Sequence, residues 1–157
     1  QGLIREKYEP EVIAKNYEQA NAACLSVLTD EPFFHGSLEH LSLVRACVDL
    51  PLLRKDFIID EKQISETVHY NGDAFLLIAD ALDQDALQQL MNVGKKAGLE
   101  FLVEYHDEKH AEFIFVLNPD IVGINCTVLK TMSTKWYYFK INNYLLEKER
   151  EYYGFFR

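Results

Sequence analysis

Five short apolar runs, separated by stretches of helical spacing, constrain this chain more than any other feature. The runs are Ala22-Ala23-Cys24-Leu25-Ser26-Val27-Leu28, Leu50-Pro51-Leu52-Leu53, Ala74-Phe75-Leu76-Leu77-Ile78, Glu100-Phe101-Leu102-Val103-Glu104 and Asp120-Ile121-Val122-Gly123-Ile124-Asn125. Such runs read as strands buried on both faces, the habit of a parallel sheet. Helical patterns fill the gaps. Ser37 is placed to cap a helix over Leu38–Val48. Asp60 and Gln63 have the spacing of a capping box for a helix ending at His69. Asp83 opens a helix over Ala86–Lys96, with Leu87, Leu90 and Val93 on one face and Gly98 to close it. Asp107 opens another, ending near Asn118-Pro119. A strand–helix unit repeated about five times implies a parallel sheet with right-handed crossovers. Two layouts satisfy that pattern: an open doubly wound sheet and a closed (β/α)₈ barrel. The seven glycines are scattered and none forms a phosphate loop after a strand, which counts against a dinucleotide-binding open sheet.

Sixteen basic against twenty-five acidic side chains give a formal net charge of -9. That balance argues against nucleic acid or an anionic membrane as partner. No apolar run approaches the roughly 18 residues of a spanning helix. The opening Gln1-Gly2-Leu3-Ile4-Arg5-Glu6 turns charged at once, unlike a signal peptide, and its missing Met suggests a trimmed or incomplete N-terminus. Cys24, Cys47 and Cys126 share no close spacing, which fits a reduced cytoplasm rather than a disulfide framework or a cysteine metal site. Residues 136–157 hold nine of the twenty aromatic residues. This shift divides the chain into a βα body over 1–132 and an aromatic-rich tail over 133–157, with a helix over Leu145–Tyr153 carrying Glu147, Arg150 and Glu151 on its surface.

In parallel α/β proteins the chemistry sits at the carboxyl ends of the strands. Lys55, Glu104 and Asn125 stand there. Because side chains alternate along a strand, Lys55 shares a face with Leu53, Glu104 with Leu102 and Asn125 with Gly123. If that face is a barrel interior, the three converge on one mouth, and the lysine and carboxylate form an acid/base pair. The plainer alternative is that each charge begins a solvated loop. Phe33-Phe34 and Phe57 follow strands; they either cover the core edge or line an apolar substrate pocket. His106 and His110 have the i, i+4 spacing of helical zinc ligands. The His-Glu-x-x-His pattern is absent, so a solvated first helical turn is expected and no metal.

Several of these segments resemble indole-3-glycerol phosphate synthase. They are Leu25-Ser26-Val27-Leu28-Thr29-Asp30-Glu31-Pro32-Phe33-Phe34-His35-Gly36-Ser37, Leu53-Arg54-Lys55-Asp56-Phe57-Ile58-Ile59-Asp60, Leu76-Leu77-Ile78-Ala79, Leu102-Val103-Glu104-Tyr105-His106-Asp107-Glu108 and Gly123-Ile124-Asn125. The resemblance runs from Gly2 to about Thr131. It implies a partial (β/α)₈ TIM barrel of about five βα units, strands 2–6 of the family barrel. It also implies a role in tryptophan biosynthesis: closing an indole ring with loss of CO₂ and water from a carboxyphenylamino-deoxyribulose 5-phosphate. In that reaction Lys55 would be the general acid and Glu104 the acid/base partner of the dehydration. Phe34, Phe57 and Leu76 would pack on the anthranilate ring, and Asn125 would bind substrate. No metal or organic cofactor is implied.

The chain departs from the family pattern at several points. A complete barrel needs about 250 residues. The first strand's Glu and Lys, its Ser-Pro-Ser phosphate loop and strands 7 and 8 have no counterpart. Thr127 stands where the family places an Arg. A five-strand portion is expected to have two open sheet edges, which invite self-association. It is also expected to leave Leu53, Leu76, Ile78 and Leu102 partly in water. Two other readings stay open: a non-catalytic half-barrel that is inert or binds a protein, and a phosphosugar barrel enzyme of altered specificity.

Overall fold

The computed structural model describes residues 8–128 and 133–141. The strands are β1 (Leu25–Leu28), β2 (Leu52–Lys55), β3 (Ala74–Ile78), β4 (Glu100–Tyr105), β5 (Ile121–Val128) and β6 (Ser133–Ile141). They form one sheet in the order β1-β2-β3-β4-β5-β6. The first five are parallel, and β6 returns antiparallel to β5. The helices are α1 (Pro10–Gln19), α2 (Glu31–Phe34), α3 (Glu39–Arg45), α4 (Glu61–His69), α5 (Gln84–Lys96) and α6 (Ala111–Leu117). Five parallel strands alternating with helices are what the sequence spacing predicts for a partial α/β barrel. β6 is an addition, because no strand was expected after β5. The boundary expected near residue 133 falls at the start of β6, which joins the same sheet. The helix expected over Leu145–Tyr153 lies outside the described residues.

Alternate residues of β1 to β4 face the helices and make the core. Phe75 and Leu77 of β3 with Phe101 and Val103 of β4 pack on Leu87, Leu90 and Met91 of α5 and Ile64 of α4. Leu25, Val27 and Leu52 pack on Ala14 of α1 and on Leu41 and Val44 of α3. The register assigns the intervening residues to the opposite face: Leu28 beside Lys55, Leu53 beside Ala74, Leu76 beside Leu102, and Ile78 beside Glu104 and Gly123. Leu53 and Ile78 are half-buried there, as expected, but Leu76 and Leu102 are only 2% and 7% exposed. The expectation of wetting fails for this pair because Leu76 and Leu102 lie side by side in mid-strand, with Ile121 next in the same row, whereas Leu53 has only the small Ala74 beside it on β3 and Ile78 is the last residue of its strand.

Local chemistry sets the element ends. The capping box is present: Asp60 accepts from Lys62 N, and Gln63 Oε1 accepts from Asp60 N. Asp83 accepts from Ala86 N to start α5, and Gly98 beyond its end takes φ +74°. β1 starts three residues later than expected because Asn21 (φ 61°) and the Ala22 N–H, bonded to Tyr17 O, complete the turn after α1. β2 starts after Pro51, which has no N–H to donate, and runs on to Lys55. α3 is shorter than the expected Leu38–Val48. Asp107 holds Lys109 N in a single 3₁₀ turn (Glu108–His110) before α6 begins. Among the described residues no helix is long and apolar enough to cross a membrane.

Candidate active site

The carboxyl ends of β2, β4 and β5 bring Lys55, Glu104 and Asn125 together. Glu104 is the centre, with its side chain only 5% exposed. A buried carboxylate needs charge or hydrogen-bond partners to offset its lost hydration. Lys55 Nζ lies 3.8 Å from Glu104 Oε1, and Asn125 Nδ2 donates to Oε2 at 3.2 Å. The lysine side chain is 30% exposed, so the ion pair has one wet and one dry member. β3 runs between β2 and β4 and contributes Leu76 and Ile78 to the same face. Arg54 pairs with Phe75, which puts Lys55 level with Leu76, one pleat below Ile78 and Glu104. The register of β5 slips between Asn125 and Thr127, immediately beyond the site.

The aromatic candidates gather beside this group. Phe57 follows Lys55 by two residues. Its ring stacks on Phe34 at a centroid distance of 6.4 Å and 26° between planes, and meets Phe33 edge-on at 5.7 Å. Phe33-Phe34 are not loop residues but the end of α2, whose first turn Asp30 caps by accepting from Phe33 N (2.8 Å) and Phe34 N (3.1 Å). After α2 the chain crosses so close to β1 that a Cβ on Gly36 would sit 2.5 Å from Leu28 O, so only glycine fits. Phe33 is 74% exposed and Phe34 also faces solvent. Leu76 is buried on the inner face of β3, between the strand of Lys55 and that of Glu104.

The histidine pair behaves differently from the sequence reading. Neither is in a solvated helical turn: both are half-buried and face Asp80 from the loop before α6. His106 Nδ1 lies 3.3 Å from Asp80 Oδ2, and His110 Nε2 lies 3.5 Å from Oδ1. The backbone N–H of His106 also donates to Asp80, at 2.8 Å. Asp107 is exposed, and the hydrogen bond from Lys109 N holds its carboxyl below the usual aspartate range. Among the described residues, no group of three or more His, Cys, Asp and Glu side chains is arranged to hold a metal.

The strand-end reading missed a second network on the opposite face of β2. Arg54 is buried against α4, donating to Asp56, Thr29, Gln63 O, Glu66 and Thr67. The signal was present: Arg54 shares parity with Leu52, so a charge occupies a core-facing strand position.

The chain matches the sequence pattern of the indole-3-glycerol phosphate synthase family over residues 1–144. The chain belongs to that family. It is 48% identical to the indole-3-glycerol phosphate synthase of Bacillus licheniformis over 134 residues, covering 85% of this chain and 53% of the relative. Against the enzyme of Rhodopirellula baltica it is 45% identical, covering 85% and 51%. Against that of Neisseria meningitidis it is 48% identical, covering 84% and 51%. The chain thus spans about half the length of the curated relatives it matches. Among solved structures it is similar to the N-acetylmannosamine-6-phosphate 2-epimerase of Clostridium perfringens, with a TM-score of 0.57 and 12% identity, over 78% of this chain and 57% of that one. That likeness is one of fold.

Proposed function

We propose that this chain carries part of the catalytic face of an indole-3-glycerol phosphate synthase. The reaction closes 1-(2-carboxyphenylamino)-1-deoxyribulose 5-phosphate to indole-3-glycerol phosphate, with release of CO₂ and water. The observation that carries the reading is the convergence of Lys55, Glu104 and Asn125 at one strand-end mouth of a family member. The substrate's ring nitrogen pushes electron density to the ring carbon that attacks the ketone. Lys55 donates a proton to the ketone oxygen as the new bond forms, and its cation stabilises the developing oxyanion. Loss of the ring carboxyl as CO₂ restores aromaticity. Glu104 then serves as the acid/base group while the hydroxyl leaves as water. Phe34, Phe57 and Leu76 offer an apolar wall to the anthranilate ring, and Asn125 offers an amide to the substrate. Such chemistry belongs to a cytoplasmic biosynthetic enzyme with a small phosphosugar substrate.

The test is to complete the barrel with the remaining βα units of a relative, add the substrate, and follow indole fluorescence together with CO₂ release. Product formation at this site is the expected result. A completed, folded barrel that binds substrate but forms neither product would sink the proposal and favour a non-catalytic role for the half-barrel.

A further inference from the structure

The buried Arg54 network does more than fill the core behind β2. It ends on Asp56, the residue between Lys55 and Phe57, and Asp56 divides its two oxygens between two loops. Its Oδ1 accepts from Phe57 N at 2.8 Å, while Phe57 O accepts from Gln63 Nε2 at 2.9 Å. Both polar ends of Phe57's backbone are therefore held, and Gln63 is itself fixed by the capping box of α4. The other oxygen, Oδ2, accepts from Thr29 Oγ1 at 2.6 Å and from Arg54 Nε and Nη2 at 3.1 and 2.9 Å. Thr29 lies at the end of β1, its N–H donates to Lys55 O at 3.1 Å, and the next residue is Asp30, the cap of the helix that carries Phe33 and Phe34. One carboxylate thus joins the Phe57 loop, the turn bearing Phe34 and the backbone of Lys55.

A purely structural account would need only the guanidinium to be satisfied. Gln63 O, Thr67 and Glu66 already receive Arg54 Nη1. They do not explain why the carboxylate spans two loops.

We propose that Asp56 is a positioning residue: clamped by Arg54 and Thr29, it sets the aromatic cleft of Phe34 and Phe57 relative to Lys55. This rests on the reading of that cleft as the seat of the substrate's aromatic ring. The arrangement splits the charges of three consecutive residues, Arg54, Lys55 and Asp56, by face. Arg54 neutralises Asp56 on the helix side, which leaves Lys55 to pair with Glu104 across the mouth instead of with its own sequence neighbour.

Two readouts on the chain test it. The first is the affinity for 2-(methylamino)benzoate, a fluorescent N-alkylated anthranilate without the phosphate. The second needs no ligand: nuclear Overhauser contacts between the Phe34 and Phe57 rings. Folded Asp56→Ala should lose the ring contacts and bind the probe about tenfold more weakly, the scale of a lost charge-assisted hydrogen bond. Glu66→Gln, which touches the same guanidinium but neither loop, should leave both readouts unchanged. Thr29→Val removes one hydroxyl at near-constant volume and serves if Asp56→Ala does not fold; it too should lose the ring contacts. Phe57→Ala separates the two readings. If it does not alter probe binding, the cleft is not the ring's seat. If it weakens binding while a folded Asp56→Ala or Thr29→Val keeps both affinity and ring contacts, Asp56 does not position the cleft and the proposal is overturned.

Discussion

Arg54 and Lys55 are neighbours in sequence and serve opposite sides of β2. The guanidinium of Arg54 is buried against α4 on Asp56, with its side chain 3% exposed, while the Lys55 ammonium stands 3.8 Å from Glu104 on the inner face. Strand alternation alone produces this division. It lets one short strand, Leu-Leu-Arg-Lys, supply both the support of the site and a member of the site.

The clearest consequence concerns Lys55. In a barrel completed around this chain, Lys55→Ala should lower kcat by roughly 10²–10⁴-fold, the usual range for loss of a general acid. KM should change much less, because the apolar wall and Asn125 remain. Steady-state kinetics on the two proteins decides the matter, and an unchanged kcat would remove Lys55 from the mechanism.

Glu104→Gln keeps the side-chain shape and the acceptor for Asn125 but removes the ionisable group. Turnover should fall while the urea midpoint moves little. A variant that stays active but unfolds at much lower urea would make Glu104 a structural residue instead.

Arg54→Leu should act mainly on stability. It leaves Asp56 buried without its cation, and breaking a buried ion pair from one side costs about 3–5 kcal/mol. Equilibrium urea unfolding should show that loss. A midpoint close to the parent's would mean that Asp56 rehydrates or finds another donor.

The sheet edges give a further expectation. Among the described residues β1 has a strand neighbour only at β2. A row of unpaired backbone groups there invites pairing with another copy. Light scattering of the chain should show association that rises with concentration. Ser26→Lys, at an exposed position of β1, should reduce it. Association unaffected by that change would place the contact elsewhere.

The parallel strands were legible in the sequence because apolar runs alternate with helical patterns, and the convergence of Lys55, Glu104 and Asn125 because side chains alternate along each strand. Strands of four to six residues with apolar neighbours announce which face each polar residue takes. Three things were not legible, each for a physical reason. Asp56 drew no reading of its own, since its partner Thr29 is 27 residues away. The histidine pair read as a local helical feature, while its partner Asp80 belongs to the loop after β3. Ser133–Ile141 is rich in aromatic and β-branched residues, which suit a strand. Its pairing breaks the strand–helix alternation on which the rest of the reading depended, so nothing in the spacing called for it.

That last strand changes how the polypeptide is routed. In a parallel unit every strand rises toward the mouth, and the chain must travel back down through a helix before it can rise again. β6 descends instead: Ser133 lies beside Val128 at the mouth end of β5, and Ile141 lies beside Ile121 at the opposite pole. The return trip is made within the sheet, with hydrogen bonds along the way, and occupies the edge that another rising strand would otherwise take. The backbone at Ile141 is therefore delivered to the floor beneath the site, a full strand length away from Asn125.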